Sequence, residues 1–230
     1  MQAGPQAFAA EIERRVRALA TRDVATLRAL RREVSREIRD RSARGVLALA
    51  KVLLAGPTER FVAYELVQHH PAAAAALGAR ELERLGKGMS SWGEVDCFAV
   101  YLAGPSWRAG QVGDVLIRRW ASSKDRWWRR AALVSTVPLN MRSRGGQGDA
   151  RGTLTICRLL LDDRDDMVVK AHSWALRELA KRDPASVRRF LARYEARLAP
   201  RVLREVRNKL RTGLKKVRGR ALEDVLTVAA

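Results

Sequence analysis

Cysteine, histidine, lysine and strand-forming runs are the scarce ingredients of this 230-residue chain. The two cysteines, Cys97 and Cys157, each sit inside an apolar helical pattern, so there is no disulfide framework and no metal spacing. They are expected to be small core residues. His69, His70 and His172 form neither an HExxH motif nor a Cys/His cluster, which argues against a structural zinc, and no cofactor is expected. No basic segment leads into an apolar one near the N-terminus, and no run of about 18 apolar residues occurs. A reducing cytoplasm is therefore the expected setting. Alternating Val/Ile/Thr runs bounded by Asn-Gly or Asp-Gly turns are nearly absent, which excludes the all-β classes.

Positive charge is abundant instead. The 45 Lys and Arg outnumber the 25 Asp and Glu and leave a formal +20, with a pI near 11.3. Only 8 of the 45 are lysine. A biased genome can trade Lys for Arg, but it does not create an excess of base over acid. The natural partner is a polyanion, nucleic acid ahead of an acidic membrane surface. Hydrophobic residues at 47% and charged residues at 30% are ordinary for a folded protein.

Helical periodicity fills the chain. Phe8, Ile12, Val16 and Leu19 recur at three- and four-residue steps, and Leu27, Leu30, Val34 and Ile38 do the same after Asp23. Further helices are expected over Ser42–Ala55, Thr58–His69, Ala72–Leu77, Glu81–Leu85, Ser91–Leu102 and Ser106–Ala121. They continue over Asp125–Val137, Thr153–Leu161, Asp165–Lys181, Ala185–Arg197 and Pro200–Arg211, with a basic tail helix from Leu214 to Leu226. Gly-Pro and Pro breaks punctuate them. Short connections between so many helices predict an all-α chain, a single domain over 1–230. An α-solenoid of HEAT-like antiparallel helix pairs with a basic concave surface is favoured over a compact bundle.

The chain is organised around Ser90-Ser91-Trp92-Gly93-Glu94-Val95-Asp96. Ser91 and Glu94 have capping-box spacing, and Trp92 and Asp96, four apart, share a face of the helix that starts there. A core Trp beside a solvated Asp is the plainer account of such a pair. Further on, Trp127 and Arg130 share a face, as do Arg126 and Arg130, and Lys170, Trp174 and Arg177 form one stripe. Each can be a core Trp with snorkelling basic side chains. The longest loop, Asn140 to Gly152, carries Gly145, Gly146 and Gly148 together with Arg142, Arg144 and Arg151; it reads as a flexible cationic loop able to fold onto phosphates, or as a merely solvated one.

Ser91-Trp92-x-x-Val95-Asp96, Trp127-x-x-Arg130-Ala131-Ala132 and Lys170-Ala171-x-x-Trp174-x-Leu176-Arg177-Glu178 together resemble the HEAT-like DNA alkylation repair glycosylases of the AlkD type. The resemblance runs from Trp92 to Arg211. It implies a solenoid that grips duplex DNA in a basic concave channel and releases cationic N-alkylated purines such as 3-methyladenine and 7-methylguanine; a monomer is the default, and the expected location is the bacterial cytoplasm, associated with the nucleoid through DNA binding. It implies that Trp92, Asp96 and Trp174 form the catalytic cleft, Arg130 holds the DNA backbone, and Lys170 and Arg177 occupy basic positions. Arg126, Trp127, Arg142 and Arg144 are further candidate DNA contacts from the residue pattern. The region from Arg28 to Arg39 carries leucines and arginines where the family often has an aromatic-rich helix. A non-catalytic HEAT-type scaffold for damaged or branched DNA is the alternative, and a protein-binding solenoid is a weaker third.

Overall fold

In the computed structural model, which describes residues 4–216, every regular element among those residues is helical. The chain gathers into two compact units, Met1–Leu116 and Ile117–Ala230.

The first unit contains α1 (Pro5–Arg17), α2 (Val24–Glu37), α3 (Ala43–Ala55), α4 (Arg60–Gln68), α5 (Pro71–Ala75), α6 (Ala79–Gly86), α7 (Trp92–Phe98) and, after a π-helical turn at Ala99–Ala103, α8 (Gly104–Arg108). Contacts run in two rows. Helix α1 packs on α3 and α3 on α5 and α6, while α2 packs on α4 and α4 on α7. The pairs α1 with α2, α3 with α4 and α6 with α7 join the rows. The periodic residues face the seam: Ile12, Leu27, Val34, Ile38, Leu49, Leu53, Leu66 and Leu82 are all at most 2% exposed. Such burial stabilises each large side chain by about 1.5–3 kcal/mol relative to exposure.

Helix α9 (Asp114–Ala121) carries the boundary between the units. The second unit then contains α10 (Arg126–Ser135), α11 (Val137–Asn140), a 3-10 turn at Arg142–Arg144, α12 (Ala150–Leu159), α13 (Asp166–Leu179), α14 (Pro184–Tyr194), a 3-10 turn at Glu195–Arg197 and α15 (Pro200–Thr212). Helix α13 is central, packed by α10 and α15 and also by α11, α12 and α14.

Acidic residues define many of the helix starts. Asp23, Asp125, Asp149, Asp165 and Asp183 each accept a backbone N–H at the first turn of α2, α10, α12, α13 and α14. Each such cap is worth about 1 kcal/mol. Pro5, Pro71, Pro184 and Pro200 stand at the first helical positions, where the missing N–H costs nothing.

The structure corrects three expected boundaries. The helix beginning at Trp92 does not stop at Gly104-Pro105; the π-helical turn absorbs the proline, which cannot donate to the preceding turn, and helical backbone continues to Arg108. The expected Ser106–Ala121 helix is instead divided, with Gly110 at φ 72° between α8 and α9. Of the expected tail helix, Leu214–Lys216 are bends following Gly213 at φ 73°, and the remainder lies outside the described residues.

The loop after α11 is tied down rather than free. Asn140, 1% exposed, donates through Nδ2 to the Thr136 carbonyl (3.0 Å) and to Thr153 Oγ1 (2.9 Å), and its Oδ1 accepts the Asp149 N–H at 3.0 Å. Arg182 donates to the carbonyls of Asn140 and Gly146. A Cβ at Gly146 would stand 2.3 Å from the Pro138 carbonyl oxygen, so glycine alone fits there.

Candidate nucleic-acid interface and catalytic residues

Helix α7 is held by its first turn. The Glu94 N–H donates to Ser91 Oγ at 3.3 Å, and Glu94 Oε2 accepts the Ser90 N–H at 2.8 Å, a capping box displaced by one residue on its return arm. Arg60 of α4 lies 3.8 Å from Glu94 and donates to the carbonyls of Leu85 and Lys87 and to the Tyr64 hydroxyl. Burial pushes the Tyr64 hydroxyl up to about 12, so it stays protonated and donates to the Leu85 carbonyl. Trp92 opens α7 and is 61% exposed. It is therefore not a core residue. Asp96, one turn later, is half-buried on the same helix. An exposed indole thus stands one helical turn before a half-buried carboxylate, near the positive end of a helix.

Behind α7 lies a cluster that the sequence motifs did not mark. Glu65 of α4, 4% exposed, accepts from Arg28 Nε at 2.8 Å and from Arg31 Nε at 3.1 Å. Arg28 also donates to the Tyr101 hydroxyl at 3.1 Å, in the π-helical turn that follows α7. The hydrogen bond to Glu65 raises the Arg28 pKa further. A lone acid inside the apolar run Val62–Val67 was the available signal, since a buried carboxylate demands partners.

In the second unit, α13 is buried on every side but one. From Val168 to Leu179 only Lys170, Trp174 and Arg177 are half-exposed; the other nine residues are buried. The stripe expected from the spacing is a single open seam along this helix. Its charges are largely paired. Lys170 Nζ is 2.6 Å from Asp166 Oδ2, and Arg177 donates to Ser173 Oγ at 3.1 Å while lying 3.9 Å from Glu205. Burial lowers the Arg177 pKa against the pull of Glu205 and Glu178. Glu205 is 4% exposed; burial pushes its carboxyl up, but hydrogen bonds from Ser173 and Arg201 outweigh it and leave the pKa lowered.

The remaining candidates divide. Arg126 is exposed, with its guanidinium 4.8 Å from the centre of the Trp127 ring and 3.4 Å from Asp165. Arg130 is 5% exposed and donates to the Met167 carbonyl, joining α10 to the start of α13. Arg142 is exposed and Arg144 half-exposed on the pinned loop. Trp107 and Trp120 are core tryptophans, 8% and 3% exposed, and the Trp107 indole donates to Asp114 at 2.9 Å. Among the described residues no group of three or more His, Cys, Asp or Glu is placed to hold a metal, and no helix is long and apolar enough to cross a membrane.

A strongly basic chain whose described residues form only helices, with an exposed tryptophan one turn before a carboxylate and a second tryptophan between two basic residues, has the features expected of a helical protein that handles nucleic acid. The sequence profile of the DNA alkylation repair enzymes matches residues 10–210, and the chain belongs to that family. No curated protein matches the chain.

Proposed function

We propose that the protein is a DNA glycosylase of base excision repair, hydrolysing the N-glycosidic bond of cationic N3- or N7-alkylated purines in duplex DNA. The observation that carries the reading is the exposed Trp92 one helical turn before Asp96, in a chain of the DNA alkylation repair family. An alkylated purine is already positive, so it leaves as a neutral base without a general acid. As the C1′–N bond breaks, its electron pair goes to the base and the sugar becomes oxocarbenium-like. Asp96 stabilises that charge and orients the water whose oxygen bonds to C1′, its proton passing to solvent. The Trp92 ring lies against the sugar–phosphate backbone by cation–π attraction. Trp174 offers a second ring to the DNA, with Lys170, Arg177, Arg126, Trp127, Arg142 and Arg144 on the backbone.

The two rows of helix pairs in the first unit support HEAT-like repeats and, in this reading, a solenoid whose basic concave surface takes the duplex. The base is not held in a flipped-out pocket, so bulky cationic adducts are admitted as substrates. The test is release of free base from duplex DNA bearing N-methylpurines. Release by wild type but not by Asp96→Asn at equal DNA binding supports a glycosylase. Tight, salt-sensitive binding with no release from methylpurine or bulkier cationic DNA by either protein replaces it with the scaffold reading.

A further inference from the structure

The second unit carries another basic surface, built differently from the α13 seam. A groove of about 510 Å³ runs between α12 and α14. Its flanks are four arginines, Arg151 and Arg158 from α12 and Arg189 and Arg193 from α14, and no acidic residue lines it. None of the four lies within ion-pair distance of a carboxylate among the described residues; Arg189 donates to Ser186 Oγ at 2.7 Å, and Arg193 lies 5.6 Å from the centre of the Tyr194 ring. That contrasts with neighbouring cations, where Lys170, Arg201 and Arg207 each meet an acid within 2.7 Å.

The floor is apolar. Tyr194 is half-exposed over a buried Phe190, their ring centres 4.9 Å apart at 58°. Phe190 in turn meets His172 at 6.5 Å. His172 is two residues from both Lys170 and Trp174, or about 200° around the helix, so the groove backs onto the side of α13 opposite its open seam.

We propose that this groove binds single-stranded nucleic acid. Charge complementarity requires an anion. Arg151 and Arg158 are seven residues apart on one helix, about 10 Å, and Arg189 and Arg193 are one turn apart, about 6 Å, a spacing that serves successive phosphates rather than one. The half-exposed ring on the floor has no use for a duplex, whose bases are stacked inside, but an unstacked base lies on it at a gain of about 1–3 kcal/mol.

The test is fluorescence anisotropy of the full chain with a labelled oligothymidylate and, separately, a labelled duplex. Arg158→Glu with Arg189→Glu changes two exposed side chains, and Arg17→Glu with Arg22→Glu, exposed in the first unit, matches its charge change. The groove pair should weaken oligothymidylate binding about tenfold, as expected for two lost phosphate contacts, and duplex binding less than twofold. Arg158→Gln with Arg189→Gln should weaken it by several-fold, and Tyr194→Ser by about threefold. The proposal is overturned if the control pair weakens the single strand as much, if the duplex loses as much as the single strand, or if inorganic polyphosphate competes as well as oligothymidylate.

Discussion

Helices α7 and α13 carry the candidate catalytic residues and are built in opposite ways. Helix α7 has seven residues, is fixed by a capping box at one end and runs into a π-helical turn at the other, and its tryptophan stands 61% exposed. Helix α13 has fourteen residues, is packed by five other helices and opens along a single seam, where basic side chains meet Asp166 and Glu205. The first arrangement puts an exposed ring one helical turn before a half-buried carboxylate at a helix start. The second gives a rigid wall whose charges are largely neutralised from within. Chemistry is thus expected from α7 and positioning from α13.

Two aspartates put this contrast to its hardest test. Asp96→Asn on α7 should lower base release by about 100-fold or more, the scale of a lost transition-state charge interaction, with duplex binding unchanged. Asp166→Asn, at the exposed start of α13, should change release less than threefold, because it only frees Lys170 and Arg201. Equal losses would erase the distinction between the helices.

The support of the wall comes next. Glu205→Ala leaves Ser173 and Arg201 without their shared acceptor and Arg177 without its nearby carboxylate, and should cost about 3 kcal/mol, read from urea unfolding. Acid attacks the same helix from its other side. Burial holds His172 down to about 4, below its ordinary 6.5, and its Nε2 has no hydrogen-bond partner among the described residues. The unfolded chain takes up a proton below 6.5 while the fold does not, so stability is full above that value and falls as pH drops toward 4. Between pH 7 and pH 5 the loss should be about 2 kcal/mol, and His172→Gln should flatten that part of the profile.

What was legible in the sequence was what repeats at helical spacing. Ile12, Val16, Leu27, Leu30, Val34 and Ile38 all lie in the core, and Ser91 with Glu94 marked the start of α7. The α13 stripe followed from the same period. What was not legible depends on residues far apart in the chain. Arg182 reaches back 42 positions to order the loop that its glycines made look flexible, and Arg28 finds Glu65 and Tyr101 at separations of 37 and 73. Pro105 signals a stop in any local reading, and only the π-helical turn shows how the helix passes it. Arg130 shares a face with Trp127 by spacing, yet its guanidinium donates to the Met167 carbonyl on a different helix.

The smallest expected effect separates function from packing most cleanly. Trp92 is a large aromatic in which 61% exposure leaves little buried area to lose, so Trp92→Ala should shift stability by less than about 0.5 kcal/mol. If its ring faces a sugar turning positive, an attraction of about 1 kcal/mol is lost in the transition state, and base release should fall roughly five- to tenfold. Trp174→Ala is the counterpart. Its indole is half-buried on a helix packed from several sides, so truncation should lower both thermal stability and release. A protein that loses rate without stability at Trp92, and both at Trp174, has the division of labour inferred for α7 and α13. Unchanged release on loss of the exposed ring would leave Asp96 to act without it.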